Sequence, residues 1–138
     1  MRGQCRRGLY DRGGRVCPLR VWRDAQPTTI PQLRCAVVAG AANNQLLDEA
    51  RDGQALHDRG ILYAPDFVVN AGGIINISVE KSGAYCRDTA LRLTEEIYRT
   101  VGIIFDLCEI ERSLPQQAAI HLAEKRLRNA GSACSLTR

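Results

Sequence analysis

Apolar and polar positions change period along the 138-residue chain, and the change separates a strand-rich stretch from a helical one. The stretch "DAQPTTIPQL" (Asp24–Leu33) marks a break. Immediately after it, Arg34–Val38, apolar from Cys35 onward, predicts a buried strand. Residues 43–59 predict a turn and a short helix, with Gly53 interrupting it and Gly60 closing it. "ILYAPDFVVNAGG" then offers two short apolar pieces, Ile61–Tyr63 and Phe67–Val69, divided by Pro65. Further on, Leu91, Thr94, Ile97, Val101, Ile104, Phe105 and Cys108 recur at spacings of three and four, the period of a long amphipathic helix. A last helix is expected after "RSLPQQ", with Ser113 as N-cap, Pro115 in the first turn and Gln116 completing a capping box. Ala119, Leu122, Ala123 and Leu127 give that helix an apolar face. Strand, helix, strand and then helices is an α/β order.

Chemistry-bearing residues gather where the apolar runs stop. Val37 and Val38 lead into Ala39-Gly40-Ala41-Ala42, and then Asn43 and Asn44 stand side by side. Small residues let a ligand or another backbone come close, and a carboxamide donates and accepts hydrogen bonds without charge. Two readings fit: the mouth of a ligand crevice at strand ends, or a loop with an asparagine cap. "FVVNAGGIIN" (Phe67–Asn76) repeats the grammar, with Asn70 after an apolar run and Gly72-Gly73 opening the next helix. Two such strand ends would lie near each other on the carboxyl edge of a parallel sheet, which brings the crevice reading level with the loop-and-cap reading.

Composition narrows the class. At 45% hydrophobic residues the chain suits one globular domain, and no apolar run reaches bilayer length. No secretory apolar segment stands near the N-terminus, so the expected location is the cytoplasm. Cys5, Cys17, Cys35, Cys86, Cys108 and Cys134 form no C-x-x-C pair and no metal-ligand spacing. Reduced thiols, and neither a metal site nor a disulfide framework, are therefore expected. The net charge of +4 is concentrated: residues 1–24 hold seven arginines against Asp11 and Asp24, which leaves the remainder slightly negative. A basic arm of this kind is one route to nucleic acid, with affinity that falls steeply with salt. Here it lacks aromatic interleaving and any helical or strand period, so no nucleic-acid or membrane partner is expected.

"IPQLRCAVVAGAANNQL", "HDRGILYAPDFVVNAGGIIN" and "EEIYRT" together resemble the glutamate/leucine/phenylalanine/valine dehydrogenase family, from Thr29 to about Arg128. The leucine, phenylalanine and valine members look closer than glutamate dehydrogenase. The resemblance implies an α/β fold, specifically the last parallel strands and C-terminal helices of a Rossmann-like NAD-binding domain, over residues 28–130. Residues 131–138 form a tail. It implies NAD as cofactor and the reversible oxidative deamination of a branched-chain or aromatic amino acid to its keto acid and ammonia. Ala41, Ala42, Asn43 and Asn44 would border the nicotinamide-ribose part of the cofactor, and Asn70 would touch cofactor and substrate. Ile74 and Ile77 would line the substrate side-chain pocket, unless they simply pack in the core. The family is homo-oligomeric.

Three departures qualify that resemblance. The family's substrate domain, with its catalytic lysines and aspartate, has no counterpart; Lys81 and Lys125 are the only lysines, and His57 reads as a helix-surface residue. No residue is therefore assigned a catalytic role. The G-x-G-x-x-G fingerprint and its following acidic residue are also missing. Finally, residues 1–27 do not match: the family carries a stretch like "VYAPCALGGVLN" where this chain has "VCPLRVWRDAQP" (Val16–Pro27). Read one nucleotide later, Trp22-Arg23 must yield glycine, and Cys17-Pro18 yields only alanine or valine. This suggests a segment translated out of frame, with the family frame restored between Gln26 and Thr29. The alternative is a real extension, most simply disordered. The chain is accordingly expected to be a dehydrogenase fragment, inactive and poorly stable alone. The competing expectation is a non-catalytic module that associates with a full-length dehydrogenase.

Overall fold

The computed structural model describes residues 16–17, 25–81, 83 and 85–134. The remainder of the arginine-rich arm, and the last four residues of the chain, lie outside the described residues. Three short strands, β1 (Val16–Cys17), β2 (Val37–Val38) and β3 (Leu62–Tyr63), form a parallel sheet in the order β1-β2-β3. Val37 pairs with Val16 on one side and Leu62 on the other; Val38 pairs with Cys17 and Tyr63. Among the described residues, a 3-10 turn (Ile30–Gln32) and five α-helices occur: α1 (Glu49–Asp58), α2 (Asp66–Val69), α3 (Gly72–Lys81), α4 (Arg87–Glu111) and α5 (Pro115–Cys134). Parallel neighbours need a crossover, and α1 supplies it between β2 and β3.

The expected strand at Arg34–Val38 is confined to Val37–Val38. Helix α1 begins where the side chain of Asp48 accepts the Arg51 amide at 2.8 Å. The buried Asp52 carboxylate returns the favour by accepting the Asp48 amide at 2.8 Å, so two orphan donors are satisfied reciprocally. The Arg51 guanidinium closes on the same carboxylate through Nε at 2.8 Å and Nη2 at 3.1 Å. Gly53 does not interrupt the helix, contrary to the sequence expectation. Its missing side chain makes room for Gln116 of α5, whose Nε2 donates to the Glu49 carbonyl at 2.6 Å. The helix closes as expected on Gly60, at φ +66°. The Gly60 amide donates to the His57 carbonyl and the Ile61 amide to the Leu56 carbonyl, the paired bonds of a Schellman stop.

A larger correction concerns Phe67–Val69, which is helical rather than extended. Pro65 stands before the first turn, and the amides of Val69 and Asn70 donate to the Pro65 and Asp66 carbonyls at 3.1 and 2.9 Å. An acidic residue in the first turn suits a helix N-terminus, and the β-branched pair Val68-Val69 is no obstacle because strand preference depends on context. Helix α5 also starts differently from expectation. Leu114, not Ser113, precedes Pro115; its amide donates to Gln117 Oε1 at 3.2 Å, while the Ser113 hydroxyl is buried without a partner among the described residues. Gln116 is thereby released to reach α1.

Two apolar clusters organise the molecule. Ala25, Ile30, Leu33, Val38, Leu46, Leu56, Ile61 and Tyr63 form the first, around the sheet and α1. Ala25 lies upstream of the expected boundary at residue 28, yet it is fully buried, and its amide and carbonyl bond the Gln45 carbonyl and Leu47 amide. The second cluster joins Ile104, Ala118 and Ala119, with Val68, Phe105, Leu107, Cys108 and Leu122 packed against it. The apolar face expected on α5 stops short: Ala123 is exposed and Leu127 is 73% exposed. On α4, Leu91 and Thr94 are exposed, whereas Ile104 is buried. Cys35, Cys86 and Cys108 are free thiols.

Candidate functional site

Strand β2 ends at Val38, and the chain turns through Ala39–Asn44 before Gln45 dives into the interior. Asn44 adopts φ 51°, the left-handed region that a carboxamide residue tolerates better than most. This is one physical reason for the asparagine pair. A helix cap is not: Asp48 caps α1. Asn43 and Asn44 are exposed, as is Ala41, while Ala42 is half-buried.

Asn70 follows a helical turn rather than a strand, yet it still arrives beside this loop. Its Nδ2 donates to the Ala42 carbonyl at 3.0 Å and to Asn43 Oδ1 at 3.2 Å. Thus Ala42, Asn43 and Asn70 come together, with Asn44 and Ala41 adjoining in the same loop. Helix α3 starts two residues after Asn70, and Ile74 and Ile77 on it are 70% and 51% exposed. Neither isoleucine is buried among the described residues. The assembled surface is neutral: amides and small aliphatic groups, able to hold a polar uncharged or anionic group without adding fixed charge.

Beneath the loop lies a buried polar layer whose residues fall inside the family-like motifs but were not singled out by pattern. Gln45 is fully buried. Its Nε2 donates to the carbonyls of Gly40 at 2.7 Å and Ala42 at 2.8 Å. Its backbone amide donates to Asp66 Oδ2 at 2.7 Å. Bonds to a carboxylate are among the stronger ones, contributing about 1.5–3 kcal/mol. Gln45 Oε1 has no partner among the described residues, a desolvation cost of about 1–3 kcal/mol that the other bonds offset. The Asp66 amide in turn donates to the Tyr63 hydroxyl at 3.3 Å. Burial pushes the Tyr63 phenol well above the ordinary tyrosine range, and the Asp66 charge adds to the effect. The only sequence signal for this layer is a Gln and an Asp lodged among small and apolar residues.

His57 is exposed on α1, as expected, and His121 pairs with Glu111 at 2.9 Å. Among the described residues, no group of His, Cys, Asp or Glu is disposed to hold a metal ion, and no helix is long and apolar enough to cross a membrane.

Comparison with known proteins extends this picture. A family model described as Glutamate/Leucine/Phenylalanine/Valine dehydrogenase matches residues 23–130. Leucine dehydrogenase of Bacillus cereus is 46% identical over 99 residues, which is 72% of this chain and 26% of that enzyme. L-tryptophan dehydrogenase of Nostoc punctiforme is 44% identical over 102 residues, 74% of this chain and 29% of that enzyme. The crystal structure of the Nostoc punctiforme enzyme superimposes with a TM-score of 0.77 at 40% identity, covering 80% of this chain and 34% of that one. Glutamate dehydrogenase from Peptoniphilus asaccharolyticus, 18% identical, shares the fold at a TM-score of 0.66, over 86% of this chain and 30% of that one. Fold and sequence together define part of an α/β dehydrogenase domain. More particularly, the chain belongs to the Glutamate/Leucine/Phenylalanine/Valine dehydrogenase family. It spans about a quarter of the length of the curated relatives it matches.

Proposed function

We propose that this chain is part of the NAD-binding, Rossmann-like half of an amino acid dehydrogenase, acting on a branched-chain or aromatic amino acid. In this reading, residues 28–130 carry that partial domain and residues 1–27 are an out-of-frame segment or a real extension, of which Val16–Cys17 and Ala25 join the sheet and the core; residues 131–138 are a tail whose first four residues continue α5. Ala41, Ala42, Asn43, Asn44 and Asn70 border the nicotinamide-ribose, and Asn70, Ile74 and Ile77 face the substrate. The observation that carries the reading is the Asn70 carboxamide, which joins the Ala42 carbonyl to the Asn43 side chain and so builds one neutral surface from two distant segments. The residues fit the nicotinamide end of a dinucleotide: small side chains allow close approach, and uncharged amides match a carboxamide. They do not supply a seat for the pyrophosphate, since the sequence holds no G-x-G-x-x-G loop.

When bound, the cofactor supplies the hydride acceptor for oxidation at the amino acid α-carbon. This chain's contribution is binding and orientation. Asn44 offers donors and an acceptor beside the hydride path, Asn70 holds the loop, and the exposed isoleucines of α3 offer an aliphatic wall to an apolar side chain. The general acid–base groups that the deamination needs are not assigned to any residue here, and the isolated chain is expected to be inactive.

A second reading has its own observation. Ile74, Ile77, Tyr98, Ile110 and Leu127 are each more than half exposed, which suits a non-catalytic module that associates with a full-length dehydrogenase. Titration of the purified chain with NADH, followed by fluorescence, tests between them. Saturable binding that Asn70→Ala weakens supports the cofactor reading. Absence of binding, with solubility that depends on a co-expressed dehydrogenase, supports the module.

A further inference from the structure

We propose that Asp66 is a positioning residue for the asparagine loop, acting through Gln45; this deepens the cofactor-site reading above and rests on it for its functional consequence. Among the described residues, no hydrogen bond joins Asp66 to Ala41, Asn43 or Asn44. Asp66 holds the residue that does the holding. Asp66 Oδ2 accepts the Gln45 amide at 2.7 Å, and Gln45 Nε2 draws in the carbonyls of Gly40 and Ala42 at 2.7 and 2.8 Å. The Ala42 carbonyl also receives Asn70 Nδ2 at 3.0 Å. From the other side, the Ala25 amide donates to the Gln45 carbonyl at 3.0 Å. Both groups of the Gln45 backbone and its side-chain Nε2 are thus engaged. Among the described residues, the backbone of the loop from Gly40 to Asn44 is tied to α2 in two ways: through Gln45 to the Asp66 carboxylate, and directly from the Ala42 carbonyl to the Asn70 carboxamide.

Location makes the arrangement purposeful. Asp66 and Asn70 stand four residues apart at the two ends of the same helical turn, and both reach the same loop, one from beneath and one at its surface. Asp66 is 6% exposed and Gln45 fully buried, so water does not compete strongly for these bonds. The Tyr63 hydroxyl, accepting the Asp66 amide at 3.3 Å, fixes where the turn begins relative to β3. A loop held this way presents Asn43 and Asn44 in one arrangement rather than many, which spares a ligand the cost of ordering them.

The test compares Asp66→Ala and Asp66→Asn with the unmodified full chain by amide hydrogen exchange and NADH titration. Asp66→Ala is expected to speed exchange at the Gln45 amide roughly tenfold, and to weaken NADH by a similar factor, while amides of α4 around Ile104 keep their protection. Asp66→Asn keeps an oxygen acceptor and should restore most of both, a rescue that a requirement for mere bulk would not show. Unchanged exchange at Gln45 in Asp66→Ala overturns the proposal. So does equal acceleration throughout α4, which would make Asp66 a general stability residue. Should Asp66→Ala prove insoluble, a wild-type Gln45 exchange rate combined with weakened NADH in Asp66→Asn would count against positioning and for direct charge. If the unmodified chain binds no NADH, the cofactor reading fails, and the exchange comparison still decides whether Asp66 holds the loop.

Discussion

The sheet-side half and the helical half of this chain are stabilised by different means. Around β2, β3 and α1, a closed apolar cluster is bounded by buried polar groups with specific partners: Asp52 with Asp48 and Arg51, Asp66 with Gln45, and Gln45 with Gly40 and Ala42. Around α4 and α5 the described buried cluster is only Ile104, Ala118 and Ala119, while large apolar side chains such as Tyr98, Ile110 and Leu127 face outward. The difference teaches where specificity sits. Buried polar bonds admit few arrangements, so the sheet side fixes a loop geometry; amphipathic helices with wide apolar faces tolerate several partners and leave their outer faces available.

Substituting the same residue type in each half should expose that contrast most sharply. Leu56→Ala, at a fully buried position of α1, should cost about 2–5 kcal/mol in denaturant unfolding. Loss of that size removes a large share of a small domain's stability, and a cost under about 1 kcal/mol would mean that the sheet-side core is not close-packed. Gly53→Ala attacks the seam between the halves. The added methyl collides with the Gln116 side chain, and displacing it should cost about 1–3 kcal/mol, offset by up to about 1 kcal/mol of helix preference. Pairing it with Gln116→Ala should relieve the collision, so non-additive unfolding energies in the double variant are expected.

Tyr63 gives a pH-dependent form of the comparison. Its phenol is raised in the folded chain, so the unfolded chain releases the proton first as pH climbs past about 10. The associated stability is fully present below that value and is lost above it. Ultraviolet difference spectra should show Tyr63 ionising only together with unfolding, and Tyr63→Phe should remove that part of the alkaline loss of stability. The smallest effect is expected at Leu127, where Ala should change stability by no more than about 0.5 kcal/mol because the side chain is 73% exposed. A change in sedimentation of that variant, without a change in unfolding, would identify the outer face of α5 as an association surface.

Legibility from sequence followed the range of the forces involved. The stop of α1 at Gly60, the long period of α4 and the start of α3 at Gly72 depend on neighbours a few residues away, and they read directly from the chain. Phe67–Val69 misleads because its apolar, β-branched composition suits a strand, whereas Pro65 and the bonds to the Pro65 and Asp66 carbonyls make a helical turn. Ser113 misleads in the same manner: the pattern of a capping box is present, but Pro115 and the reach of Gln116 to Glu49 shift the start by one residue. At the site, the residue types at 41–44 and 70 point to a neutral binding surface, but not to the chain of bonds that shapes it.

The sequence by itself determined the α/β order, the turn and helix signals, and the clustering of small residues with amides, because each is a property of local conformational preference and side-chain chemistry. Only the tertiary structure decided that Asn70 meets Ala42 and Asn43 across 28 and 27 positions of chain, and that Asp66 holds Gln45 across 21. Those contacts depend on the crossover that lays β3 beside β2 and so returns residues 63–70 to the loop that left the sheet at Val38. Hydrogen bonds of this kind carry no periodic trace in a sequence; they exist because folding places a donor within about 3 Å of an acceptor and excludes the water that would otherwise take its place.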